Sequence, residues 1–208
     1  SSKNLSRYFS GIVAFENKDN SKALNYFNSS KILINKHDPY LTKYIYLLVL
    51  DGKISHAINV IKNNKGKKNI DFFDAYLLLI IDSLKKDNLS EASNYINQAN
   101  NLLEKDRFTS AILENLQEYI YVFKEKKIPT SKKNFGNFSL ISETFQRCYL
   151  RDKKTDSYFL KLFNDPRNDY TRYVYFYLSY LIENKKSDEA IEIINGIDYI
   201  NTTLLLSQ

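Results

Sequence analysis

Four stretches of the chain share one pattern: Ser21-Lys-Ala-Leu-Asn-Tyr-Phe27, Ser55-His-Ala-Ile-Asn-Val-Ile61, Ser90-Glu-Ala-Ser-Asn-Tyr-Ile96 and Asp188-Glu-Ala-Ile-Glu-Ile-Ile194. Each opens on a residue that can cap a helix, places Ala two positions on, and sets a bulky apolar residue four after the Ala. The alanines Ala23, Ala57, Ala92 and Ala190 fall 34, 35 and 98 residues apart, the last close to three periods with a small deletion. A period of this length marks a repeat of one supersecondary unit. The spacing from Ala to the bulky residue is one helical turn, so both lie on one helix face.

The residues around each stretch complete the unit. Ahead of the Ser or Asp, which is expected to cap the helix, stands a polar turn: Asn17-Lys-Asp-Asn20, Asp51-Gly-Lys53, Lys86-Asp-Asn88 and Asn184-Lys-Lys186. Asn, Asp and Gly tolerate left-handed backbone and so can reverse a chain. Ahead of each turn is an apolar helix, expected over Leu5 to Glu16, Tyr40 to Leu50, Phe72 to Leu84 and Tyr170 to Glu183. Every unit therefore reads as helix, turn, helix. The alanine marks where the two helices approach closely, because a larger side chain there would overpack.

These residues resemble the tetratricopeptide repeat, a 34-residue helix–turn–helix. Gly11, Ala23 and Phe27 of the first unit stand at that family's spacing, whereas later units replace the first-helix Gly with Ile45, Ile80 and Leu178. Pro39 is the one loose match to the family's usual closing proline. The resemblance implies an all-α fold, an α-α superhelix or solenoid of antiparallel hairpins. The clear repeats are 4–37, 38–71, 73–104 and 170–197, with an irregular middle at 105–169. There, one long helix is expected over 106–127, a loop over 127–137, and a helix pair at Ser139 to Leu150 and Thr155 to Phe163. Asn164-Asp-Pro-Arg-Asn168 breaks before the last unit. A single solenoid over 1–208 is the simplest organisation; two sub-domains hinged near 128–137 is the alternative.

Composition agrees with helices. Five Gly and three Pro in 208 residues leave little turn chemistry for a sheet fold. The most apolar stretch, Ala75 to Ile81, is far short of the roughly 20 residues a membrane helix needs, so no membrane span is expected. A net charge of +6 permits anionic partners without requiring them. Cys148, the single cysteine, excludes an internal disulfide framework. Heavy use of Lys, Asn, Ile and Tyr is the mark of an AT-rich, expectedly bacterial, genome. The Ser-Ser start and the lack of Met lead us to expect a fragment of a longer chain, whether cytoplasmic or periplasmic. Asn201 to Gln208 reads as the opening of another helix.

The residues offer no chemistry. His37 and His56 have no Cys or second His at ligand spacing, and Cys148 has no His and acid that pattern brings to it. Neither an enzyme nor a metal or cofactor site is expected. The lysine clusters, Lys62/Lys65/Lys67/Lys68, Lys124/Lys126/Lys127 and Lys132/Lys133, flank loops and read as solvated ends. Nucleic-acid binding is not expected, since Tyr8, Thr42, Leu77 and Tyr175 at one repeat position form no polar code.

In the tetratricopeptide family the first helix of each hairpin lines a concave groove. By that resemblance Tyr8, Ile12, Tyr46, Leu77, Ile81 and Tyr175 would face a bound peptide. The family's carboxylate clamp is not expected, because the matching positions hold Tyr8, Ile12, Lys43, Asp74 and Leu78. The resemblance thus implies a non-catalytic scaffold for a protein or peptide. Its alternatives are an assembly segment of a larger protein or homo-oligomer and, last, an RNA-associated solenoid.

Overall fold

In a computed structural model of the chain, residues 2–66, 70–102, 106–130, 133–164 and 171–196 are described. All regular structure among them is helical. The chain divides into two compact units, Ser1–Ile120 and Tyr121–Gln208. The division falls inside the long helix, ahead of the polar 127–137 stretch. Lys67, Lys68, Lys132, the 164–168 break beyond Asn164, the Tyr170 helix start and the helix expected near Asn201 to Gln208 lie outside the described residues.

The first unit holds α1 (Ser2–Glu16), α2 (Asn20–Asn28), α3 (Asp38–Leu50), α4 (Ile54–Asn63), α5 (Phe73–Lys85), α6 (Leu89–Asn100) and most of α7 (Arg107–Glu125). Helices α1 to α6 pack each against the next in chain order. A short 3-10 helix, Lys31–Asn35, leads from α2 to α3 and buries Leu33. The second unit holds the end of α7, then α8 (Asn137–Leu150), α9 (Thr155–Phe163), a 3-10 turn Thr171–Tyr173, α10 (Val174–Glu183) and α11 (Ser187–Gly196). Here α8 pairs with α9 and α10 with α11.

One turn closes all five hairpins. Its left-handed residue is Lys18, Gly52, Asp87, Arg151 or Lys185, with φ between 51° and 72°. In each, that residue's N–H bonds the carbonyl three back and the next N–H bonds the carbonyl five back. Lys18 reaches Phe15 at 2.8 Å and Asp19 reaches Ala14 at 3.0 Å; Asp87 reaches Leu84 at 3.0 Å and Asn88 reaches Ser83 at 2.8 Å. This is the Schellman arrangement, which satisfies carbonyls that a helix end would leave without partners. Four of the five place a side chain other than glycine in left-handed backbone, at a cost of about 1–2 kcal/mol, offset by the two bonds.

The turn also relocates the caps. Ser21, Ser55, Ser90 and Asp188, expected as N-caps, each sit one residue inside their helix, at its second position. The cap is instead the residue directly after the left-handed one. Asp19 accepts from the Lys22 amide and Asn88 from the Glu91 amide. Lys53 occupies the same place without a side-chain cap. The sixth residue of the turn already has the non-helical backbone a cap requires, so no second capping residue is used.

The four alanines stand five residues after the left-handed position and are no more than 3% exposed. In the first hairpin the approach is closest at Gly11. A Cβ built there would lie 2.7 Å from Phe27 Cδ2 and 3.3 Å from Tyr26 Cβ. Phe27 cannot move aside, because its fully buried ring lies 5.3 Å from Tyr8, 5.0 Å from Tyr40 and 6.4 Å from Tyr44. The Tyr40 hydroxyl donates to the Phe27 carbonyl, and Tyr44 donates to Asn28 at 2.7 Å, tying α3 to α2.

The second unit has its own core of Phe159, Tyr177, Leu181 and Ala190. Phe159 stacks on Tyr177 at 4.8 Å. Asp156 accepts from Tyr177 at 3.1 Å and from Lys186 at 2.8 Å, so one carboxylate on α9 joins α10 and the last hairpin turn.

Ala57→Phe and Ala92→Phe are each expected to destabilise by about 1–3 kcal/mol, measured by denaturant unfolding. Gly11→Ala should also destabilise, although Ala is the better helix former by about 1 kcal/mol; a gain in stability would contradict the close approach. At the turns the signs invert. Lys18→Gly should stabilise by up to about 1 kcal/mol through relief of left-handed strain, while Gly52→Ala, with open space around its Cβ, should destabilise by a similar amount.

Candidate functional site

The first helices of the three N-terminal hairpins lie side by side. Lys43 of α3 places its Nζ 5.2 Å above the Phe15 ring of α1. The Tyr46 hydroxyl of α3 donates to Asp74 of α5. Six residues before the left-handed turn, the three helices carry Ile12, Tyr46 and Ile81. The three share one place in the hairpin register and form a row in that sense. Tyr46 is 40% exposed, Ile81 44% exposed, and Ile12 half-buried against the core. Leu77, one helical turn before Ile81, is also half-buried.

Two of the expected residues stand elsewhere. Tyr8 is only 6% exposed and belongs to the core, edge-on to Phe27 at 5.3 Å and to His37 at 4.7 Å. Its helix position turns it toward α2, so it does not line an exposed surface. Tyr175 is 51% exposed but lies in the second unit, beside the exposed Phe176 at 5.8 Å.

Sequence reasoning missed the most exposed apolar strip of the first unit. Leu5, Phe9 and Val13 recur at every fourth residue of α1, and Phe9 and Val13 are 55% and 61% exposed. The signal was present: these residues sit on a face of α1 separate from Tyr8, Gly11 and Ala14, which are buried. Leu50, at the end of α3, is exposed as well. With Tyr46 and Ile81 they are the large apolar side chains that the first helices of this unit leave exposed, Ile12 being half-buried. Of the charged groups on these helices, Lys43 rests on Phe15 and Asp74 accepts from Tyr46.

His56 meets Tyr44 edge-on at 6.1 Å, as His37 meets Tyr8. Cys148 is half-buried against the second core, and burial pushes its thiol up, away from the thiolate a nucleophile needs. Among the described residues no three His, Cys, Asp or Glu side chains come together as a metal site would require. No helix among them is long and apolar enough to cross a membrane.

The Tyr46–Asp74 bond is the polar feature of the row that can be titrated. It holds the Tyr46 phenol at a pKa of about 12, chiefly because only the protonated phenol can donate to the carboxylate, with partial burial adding to it. The folded value lies above the ordinary value near about 10. The bond's contribution is therefore complete below that pH and is lost as pH rises through about 12. In a spectrophotometric titration, Asp74→Asn should move one tyrosine down from about 12 toward the ordinary range; an unchanged curve would show that α3 and α5 are not joined there. No protein family, curated protein or solved structure matches the chain.

Proposed function

We propose that this chain is a non-catalytic scaffold that holds an apolar peptide or helix of another protein on the first helices of its N-terminal hairpins. On this reading the hairpins follow the tetratricopeptide plan and form a superhelix, with the row Ile12, Tyr46 and Ile81 on its inner face. The observation that supports it most is the exposure of that row, flanked by Phe9 and Val13, on helices whose opposite faces are filled.

Large apolar side chains exposed in one continuous set are uncommon on a surface that meets only water. Tyr and Phe contribute contact area at low entropic cost, and the Tyr46 hydroxyl keeps its end of the row wetted. An amphipathic helix presenting apolar residues at successive turns would match this spacing.

Selection of a displayed peptide library on the chain tests the reading. Selected peptides should share apolar residues at helical spacing. Their affinity should fall by at least about tenfold for the triple substitution Phe9→Ser, Tyr46→Ser and Ile81→Ser, with the helical content retained by circular dichroism. Equal affinity for the triple variant would place binding on a different surface.

A further inference from the structure

In the second unit the fold joins two basic runs that are well separated in the chain. Lys126 Nζ donates to the Tyr149 hydroxyl at 2.5 Å and lies 4.8 Å from the centre of that ring. Phe123 meets that ring edge-on at 4.8 Å. These contacts seat the end of α7, with Lys124, Lys126 and Lys127, against the end of α8, whose turn carries Arg151, Lys153 and Lys154. All six basic residues are exposed. Within the two segments only Glu125 and Asp152 oppose them. Asp152 is already engaged, accepting from Arg147 at 2.9 Å and from the Lys154 amide at 2.8 Å.

Folding accounts for part of this charge. Lys124, Lys126 and Arg151 stand at the C-terminal ends of α7 and α8, where the helix dipole favours cations. Lys153 and Lys154 stand at the opposite kind of end, directly before α9, where the dipole disfavours them. Asp152 partly offsets Lys154, while the like charges of Arg151, Lys153 and Lys154 repel one another within the turn.

The geometry points to a docking surface for an acidic peptide segment, formed by Lys124, Lys126, Lys127, Arg151, Lys153 and Lys154. Carboxylates would draw charge-assisted hydrogen bonds from flexible lysine ends and relieve the crowding of like charges. A single-stranded nucleic acid suits the site less well. Such a strand needs open aromatic faces on which bases stack, whereas Tyr149 meets Phe123 edge-on at 4.8 Å and its hydroxyl accepts from Lys126.

The test is fluorescence anisotropy with a short fluorescein-labelled Glu-rich peptide, set beside a single-stranded oligonucleotide of equal charge and phosphatidylserine-containing vesicles. The variant Arg151→Glu, Lys153→Glu, Lys154→Glu is compared with Lys3→Glu, Lys22→Glu, Lys36→Glu, which changes net charge equally in the first unit. Melting curves establish that both fold. The milder pair Lys153→Gln with Lys154→Gln introduces no new charge. The wild-type chain should bind the peptide with an affinity that falls with salt. The turn variant should lose at least about tenfold, the glutamine pair a smaller factor of the same sign, and the control less than about twofold. Equal losses in both charge variants, no peptide binding at low salt, or tighter binding of the oligonucleotide or the vesicles would overturn the proposal.

Discussion

The structure depends on a pair of backbone hydrogen bonds. At the end of each first helix, two amides reach back three and five residues around a single left-handed position. In the four alanine-bearing hairpins that closure starts the second helix two residues after the left-handed position and brings the alanine, five positions on, into the seam between helices; after Arg151 the second helix starts only at Thr155, and Asp156 stands five positions on. In the alanine-bearing hairpins the residue is fully or almost fully buried. In those four hairpins the turn is short and alike, so the register of side chains across each seam is alike too. Everything that follows, including which residues face outward, is set by that register.

Close approach on one side of a first helix leaves the other side without a neighbour. In the first hairpin the space beside Gly11 is filled by Phe27, which is in turn held by Tyr8, Tyr40 and Tyr44. These aromatic rings pass the packing from one hairpin to the next helix, while hydroxyl bonds to Phe27 and Asn28 fix their direction. The residues left over, Phe9, Val13, Tyr46 and Ile81, are apolar and exposed. The fold recruits its largest rings for the core and leaves these outside, and they are the residues to which our proposal assigns a partner.

The hairpins were legible because they are local. Alanine spacing, polar turns and apolar runs each specify a structure within a dozen residues, and Thr155–Phe163 and the long α7 emerge close to where helical periodicity puts them. The caps were misplaced because the candidate serines compete with the turn itself, and backbone geometry there favours the residue one step after the left-handed position. Facing direction was the harder matter. Tyr8 and Ile12 differ by one helical turn, yet one is core and the other borders the exposed row, since the angle at which α1 meets α2 is set by Gly11 and Phe27 together. The pairing of Lys126 with Tyr149 depends on two helices meeting across a long loop, which no local pattern encodes.

Amide hydrogen exchange by nuclear magnetic resonance reaches the turn bonds directly. The amides of Asp19, Lys53, Asn88, Asp152 and Lys186 lie in short polar turns, but each donates to a carbonyl five residues back. They should exchange far more slowly than unstructured peptide and with protection close to that of the helices they join. Exchange of these five amides at the rate of open chain would show that the hairpins are not closed in this way, and the common register would lose its cause.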